Sequence, residues 1–134
     1  MINKIVIHCS DTPTGRDISA QDIHHWHIDR KWSGIGYHYV IRISGEIEAG
    51  RPVYWEGAHV AGHNAKSIGI CLIGNGEFTS EQYDSLYDLI KKYTDLYDVK
   101  VMGHCDLDSK KPQCPGFDVA DWLECHNFGE YKYV

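Results

Sequence analysis

Long apolar runs are missing from this 134-residue chain. Nowhere do about 18 apolar residues follow one another, which excludes a transmembrane helix. Basic clusters are missing too: the 13 Lys and Arg are scattered among 19 Asp and Glu, for a net charge of -6. A chain without a basic face lacks the footprint of a nucleic-acid binder and of a polybasic membrane anchor. Met1-Ile2-Asn3-Lys4 leads into only the short apolar segment Ile5 to Cys9, so no secretory signal is expected there. The expectation is a protein made and folded in the cytoplasm. Cysteine is sparse and odd in number: Cys9, Cys71, Cys105, Cys114 and Cys125. Without an export signal this is no disulfide framework, and four of the five read as buried thiols. Linkers, repeats and low-complexity stretches are also lacking, so residues 1–134 read as one domain.

What is present is an alternation of strand and helix signals. Lys4 to Cys9 reads as a buried strand, followed by a polar loop, Ser10 to Arg16. Ser19 with Asp22 caps a helix running to about Arg30, with Ile23, Trp26 and His27 on one face. Tyr37 to Ile43 reads as a strand that turns at Ser44-Gly45 into a short partner near Ile47. Glu56 to Lys66 reads as loop, and Ile68 to Ile73 as a further apolar strand. Thr79 with Gln82 caps a long helix ending near Leu96, with Tyr83, Leu86, Tyr87, Ile90 and Tyr93 as its apolar stripe. Asp98 to His104 reads as a strand, Cys105 to Gly116 as a loop. Asp118 and Asp121 cap a last helix carrying Val119, Trp122 and Leu123. The tail after Cys125 carries no pattern. The fold class is α/β: a mixed sheet of about five strands flanked by helices.

Two of these strands end in the same dipeptide, His8-Cys9 and His104-Cys105. Side chains alternate along a strand, so each histidine faces away from its neighbouring cysteine. If the strands are parallel, both histidines sit at carboxyl ends of the sheet, where open α/β sheets place their sites. Strands about 4.8 Å apart bring two imidazoles within reach of one zinc ion, whose bonds to nitrogen are about 2.0–2.1 Å. The loop after His104 carries Cys114 between Pro112 and Pro115, which stiffen it. Two histidines and one cysteine leave a fourth tetrahedral position open, as catalytic zinc sites do. Spacing alone leaves other readings standing. A strand-end histidine is commonly a hydrogen-bonded structural residue, and His59 with His63 forms a rival pair if that segment is helical. His24 and His25 read as solvated. Trp26, His27, Arg51, His59 and Asn64 are candidates for a substrate groove, Trp26 by stacking and Arg51 by meeting a carboxylate; Trp26 as helix core and Arg51 as a surface charge are the competing readings.

The chain resembles the type 2 N-acetylmuramoyl-L-alanine amidases, a family that includes small phage endolysins and animal peptidoglycan recognition proteins. The segments that carry the resemblance are Ile7-His8-Cys9-Ser10, Trp32 to Ile41 (WSGIGYHYVI), Gly57-Ala58-His59-Val60, Ser67 to Gly74 (SIGICLIG), Gly103 to Leu107 (GHCDL) and Cys114 to Asp118 (CPGFD). They occur in the family's order over nearly the whole chain. The resemblance implies one zinc held by His8, His104 and Cys114, with Tyr37 beside the water that the metal activates. It implies peptidoglycan, glycan strand plus stem peptide, as partner, and hydrolysis of the bond between N-acetylmuramic acid and L-alanine. Two departures stand out. Where many members carry a lysine two positions before the ligand cysteine this chain has Pro112, which moves that role to Lys111. Where some branches carry a catalytic glutamate this chain has Cys71, as in the phage branch. The expectation is an endolysin reaching the wall with the help of a separate export or holin system. The alternatives are a peptidoglycan-binding module without catalysis, which the presence of Cys114 disfavours, and an amidase acting on soluble wall fragments.

Overall fold

The computed structural model describes residues 1–133. Five strands, β1 (Lys4–Cys9), β2 (Tyr39–Ile41), β3 (Ile47–Ala49), β4 (Ser67–Leu72) and β5 (Lys100–Gly103), form one sheet in the order β3-β2-β4-β1-β5. Only the β2–β3 hairpin is antiparallel; β2–β4, β4–β1 and β1–β5 are parallel. The central strands β1 and β4 are apolar almost throughout, as strands covered on both faces must be.

Helices cover both faces. Helix α2 (Ser80–Leu96) and the short α3 (Val119–Cys125) pack on the face formed by Ile5, Ile7, Ile41, Ile68, Ile70 and Leu72. Helix α1 (Ala20–Asp29) brings Ile23 to the opposite face, against Val40 and Cys71. Both expected capping boxes are formed, Ser19 with Asp22 and Thr79 with Gln82. Among the described residues no helix is long and apolar enough to cross a membrane.

Three boundaries differ from the sequence expectation. β2 is shorter than Tyr37–Ile43, because Arg42 already opens the hairpin turn by accepting the Gly45 N–H and donating to Glu46. β5 is shorter than Asp98–His104, because His104 leaves the ladder to start a 3-10 turn, His104–Asp106, closed by Asp106 Oδ2 on the Gly103 N–H at 2.9 Å. The tail after Cys125 is not patternless: it forms a 3-10 turn at Gly129–Tyr131, and Lys132 bridges to Val101.

Candidate metal centre and cleft

The parallel pairing of β1 with β5 sets Ile7 opposite Gly103, so the next residues along, His8 and His104, emerge side by side at the carboxyl edge of the sheet. Their Nδ1 atoms are 3.1 Å apart. Cys114 arrives from the loop after the 3-10 turn, whose chain is fixed by Cys105 N–H donating to Cys114 O at 2.9 Å. The Cys114 sulfur accepts the Cys9 N–H at 3.3 Å. The ligand atoms of His8, His104 and Cys114 all lie within 4.8 Å of one another, a group able to hold a metal ion. Two nitrogens bound to one tetrahedral zinc lie roughly 3.3 Å apart, so the separation of the histidines fits that ion. The rival pair His59 and His63 lies in an irregular loop rather than on a helix, which removes the spacing it needed.

Each imidazole has a partner at its far nitrogen, the arrangement that orients metal-binding histidines. His8 Nε2 meets His59 Nδ1 at 2.9 Å, and His104 Nε2 faces the Asp108 carboxylate at 3.5 Å. Burial, then the neighbouring His59 and His104, holds the His8 pKa well below the usual histidine range. Burial also lowers that of His104, with Lys111 adding to the effect and Asp108 opposing it. Both rings are therefore neutral at neutral pH, the form a metal requires. The neighbouring Cys9 thiol and burial push the Cys114 thiol up, so a metal arriving here displaces a proton from sulfur.

The triad opens onto a cleft of about 800 Å³. From α1 and its C-cap it is lined by Trp26, His27 and Arg30, and from the loop after β5 by Asp108, Lys110 and Lys111. Tyr37 also borders it, with its ring 5.1 Å from that of His8. Burial raises the Tyr37 pKa well above the ordinary phenol value, aided by the nearby Cys71, Cys114 and Cys9, so its hydroxyl keeps its proton. His27 is buried and accepts the Gly36 N–H on Nδ1 at 2.9 Å.

Three groove candidates are turned elsewhere. The Arg51 guanidinium is tied to the Ile35 and Glu56 carbonyls at 3.1 and 2.7 Å, and Arg51 is not part of the cleft wall. His59 and Asn64 border the cleft, but their bonded atoms face the protein: His59 toward His8 and Ser67, and Asn64 Oδ1 toward the His59 and Val60 N–H groups. His24 is not simply solvated, since its Nδ1 accepts the Ile35 N–H at 3.1 Å.

A family model described as N-acetylmuramoyl-L-alanine amidase matches residues 1–117. The chain belongs to this amidase family. Relatives span it nearly end to end. The endolysin of Klebsiella phage KP32 is 36% identical over 131 residues, covering 91% of this chain and 85% of its own. The endolysin of Escherichia phage T7 is 34% identical over 129 residues, covering 90% and 84%. Among solved structures, the N-acetylmuramoyl-L-alanine amidase LysC from Clostridium intestinale superposes with a TM-score of 0.82 at 32% identity, over 92% of this chain and 83% of that one.

Sequence reasoning missed three residues around the candidate metal centre of this amidase. Asp108 stands four residues after His104 and was readable only as another loop carboxylate. Ser67, at the head of β4, is 2% exposed and bonded to His59. Cys9 supplies a backbone N–H to the Cys114 sulfur. None of these roles has a signal in residue spacing; each needs the sheet register that joins β1, β4 and β5.

Proposed function

We propose that this amidase uses one zinc ion, held by His8, His104 and Cys114, to cut the amide bond between N-acetylmuramic acid and L-alanine in peptidoglycan, in the manner of a phage endolysin that reaches the wall through a separate release system. The observation that carries this is the triad of neutral imidazoles and a thiol at the floor of an open cleft, three ligands with room for substrate. When bound, zinc supplies Lewis acidity toward the scissile carbonyl and lowers the pKa of water to about 7, so that the nucleophile is available at neutral pH.

The chain's own groups do the rest. Tyr37 borders the cleft and keeps its proton at working pH; its hydroxyl, beside the Cys71 thiol, would orient the attacking oxygen and serve as a proton source for the leaving L-alanine nitrogen. The Lys111 ammonium, on the cleft wall and close enough to His104 to lower its pKa, would stabilise charge developing on the carbonyl oxygen. Trp26 offers an aromatic face to a sugar ring. Asp108 behind His104 and His59 behind His8 hold the two rings in line.

The test is the mass spectrum of peptidoglycan after digestion. Amidase action yields stem peptides with a free L-alanine amine and glycan strands with intact lactyl carboxylates. Sacculi that are bound but released unchanged would leave a recognition module instead, and cleavage of soluble fragments alone would move the substrate to wall turnover. The metal is tested separately by elemental analysis. The wild type should carry one zinc per chain and Cys114→Ser a weakened complement with little activity; full zinc and full turnover in Cys114→Ser would rule out this ligand set.

A further inference from the structure

We infer that His59, held by Ser67 and Asn64, is a positioning residue that fixes the proton of His8 on Nε2 and so keeps His8 Nδ1 bare toward the metal; the inference rests on the zinc reading above.

The protons run in one direction along a single buried chain of contacts. It begins at a group whose role is unambiguous. The Asn64 backbone carbonyl can only accept, and the Ser67 hydroxyl lies 2.9 Å from it, so the single Ser67 proton is spent there. Ser67 Oγ also lies 3.1 Å from His59 Nε2, and having no second proton it must accept; His59 therefore carries hydrogen on Nε2. Among the described residues no carboxylate is bonded to His59, whose ring nitrogens face only Ser67 and His8. A second proton on that ring would leave a cation buried without a counter-charge. His59 Nδ1 is thus a lone pair, and across 2.9 Å it can only receive the proton of His8 Nε2. His8, by the same reasoning neutral, is left with a lone pair on Nδ1, the atom 3.1 Å from His104 Nδ1. Every donor in the chain finds one acceptor, and the last free lone pair points at the metal centre.

The chain is also mechanically fixed. His8 is 1% exposed, Ser67 2% and His59 8%. A methyl group on Gly69 would lie 2.6 Å from His59 Cγ, and one on Gly57 2.6 Å from Cδ2, so the ring occupies a slot that exists only because both positions are glycine. Asn64 Oδ1 holds the His59 backbone from the other side, accepting its N–H at 2.8 Å. Position 64 thereby acts twice, through its side chain on His59 and through its carbonyl on Ser67. The motif Gly57-Ala58-His59 and the segment Ser67-Ile68-Gly69 are two halves of one device that acts on β1.

The experiment is a long-range nitrogen–proton NMR correlation on the zinc-loaded protein, paired with zinc affinity measured by competition with a chelator. The expected spectrum shows both His8 and His59 protonated at Nε2 and bare at Nδ1. His59→Leu should weaken zinc binding about 10- to 100-fold. His59→Asn, whose Oδ1 takes the place of the ring Nδ1 as acceptor, should recover most of the affinity, a rescue that a merely space-filling residue would not show. Ser67→Ala should let His59 populate both tautomers and weaken zinc by a smaller factor. His59 found with its proton on Nδ1, or a folded His59→Leu with wild-type zinc affinity, would overturn the inference while leaving the zinc ligands intact. A wild type that binds no zinc would instead overturn the functional reading. Should His59→Leu fail to fold, the wild-type spectrum and Ser67→Ala still decide.

Discussion

At the scale of single residues, Tyr37 and Lys111 separate chemistry from packing. The Tyr37 ring lies between those of His8 and His27, with centroids 5.1 and 5.8 Å away, and Tyr37→Phe keeps that packing while deleting only the hydroxyl. The variant should fold, retain zinc and lose about 100-fold or more of kcat, with the fall concentrated in kcat rather than KM. Steady-state kinetics on a soluble muropeptide check this, and an unchanged kcat returns Tyr37 to packing. Lys111→Ala should raise the barrier by roughly 2.7–4 kcal/mol, the scale of one lost oxyanion donor, whereas Lys110→Ala, also on the cleft wall, should do little. Comparable losses in both would mean that the loop supplies only general positive charge. The candidate ligands at this scale were legible mainly through the family resemblance of the segments around His8, His104 and Cys114; strand-end spacing alone left structural histidines and the His59 and His63 pair as competing readings. The partners of those ligands were not legible. Nothing in the letters around Ser67 or Asp108 distinguishes a group that bonds to a histidine from one that meets water, since that depends on which strands become neighbours.

At the scale of elements, the N-terminus of α2 shows how one residue serves two purposes. Gln82 completes the capping box, its Oε1 accepting the Thr79 N–H at 2.9 Å. Its amide also donates to the carbonyls of Ile73 and Ile41, at 2.8 and 3.3 Å, from a fully buried position. Gln82→Ala strands those carbonyls inside the protein and should cost roughly 2–3 kcal/mol. Thr79→Ala, which removes the other half of the cap, should cost about 1 kcal/mol. Urea unfolding with unchanged m-values would measure both, and equal losses would reduce Gln82 to a cap. The capping boxes, the hairpin and the five strands were readable because they follow from local chemistry. Strand ends were not, since Arg42 and His104 leave their ladders for turns that depend on Glu46 and Asp106. The apolar stripe of α2 holds as expected at Leu86, Ile90 and Tyr93, with Tyr83 and Tyr87 packing at its flank against Phe117 and Phe128, and gains Leu89, which the sequence pattern did not single out.

At the scale of the whole molecule, a set of histidines held neutral makes stability depend on pH in one direction. Burial, assisted by the charges of Arg30 and Arg51, lowers the His27 pKa from its ordinary 6.5 to about 4. Between those values the unfolded chain binds a proton that the folded chain refuses. Stability is therefore unaffected above pH 6.5 and falls as pH drops toward 4, by up to about 3 kcal/mol from this residue. His38, lowered mainly by burial, acts in the same sense. Urea midpoints measured from pH 7.5 to 4.5 in the presence of chelator should fall steadily below pH 6.5. His27→Asn, which keeps an acceptor for the Gly36 N–H, should flatten that slope, and an identical slope would remove His27 from the account. The pairing of β1 with β5 has a consequence of another kind. It joins His8 to His104 across 96 positions of chain, and Cys114 comes later still. A nascent chain emerging from the ribosome carries one of the three proposed ligands from the start and lacks the other two until synthesis is nearly over. The outer edge of β1 stays unpaired until β5 appears, and closing so long a loop is a slow, late event. The proposed metal centre is thus assembled from the two far ends of the sheet's sequence, and a product truncated before Cys114 lacks its third donor whatever else it folds.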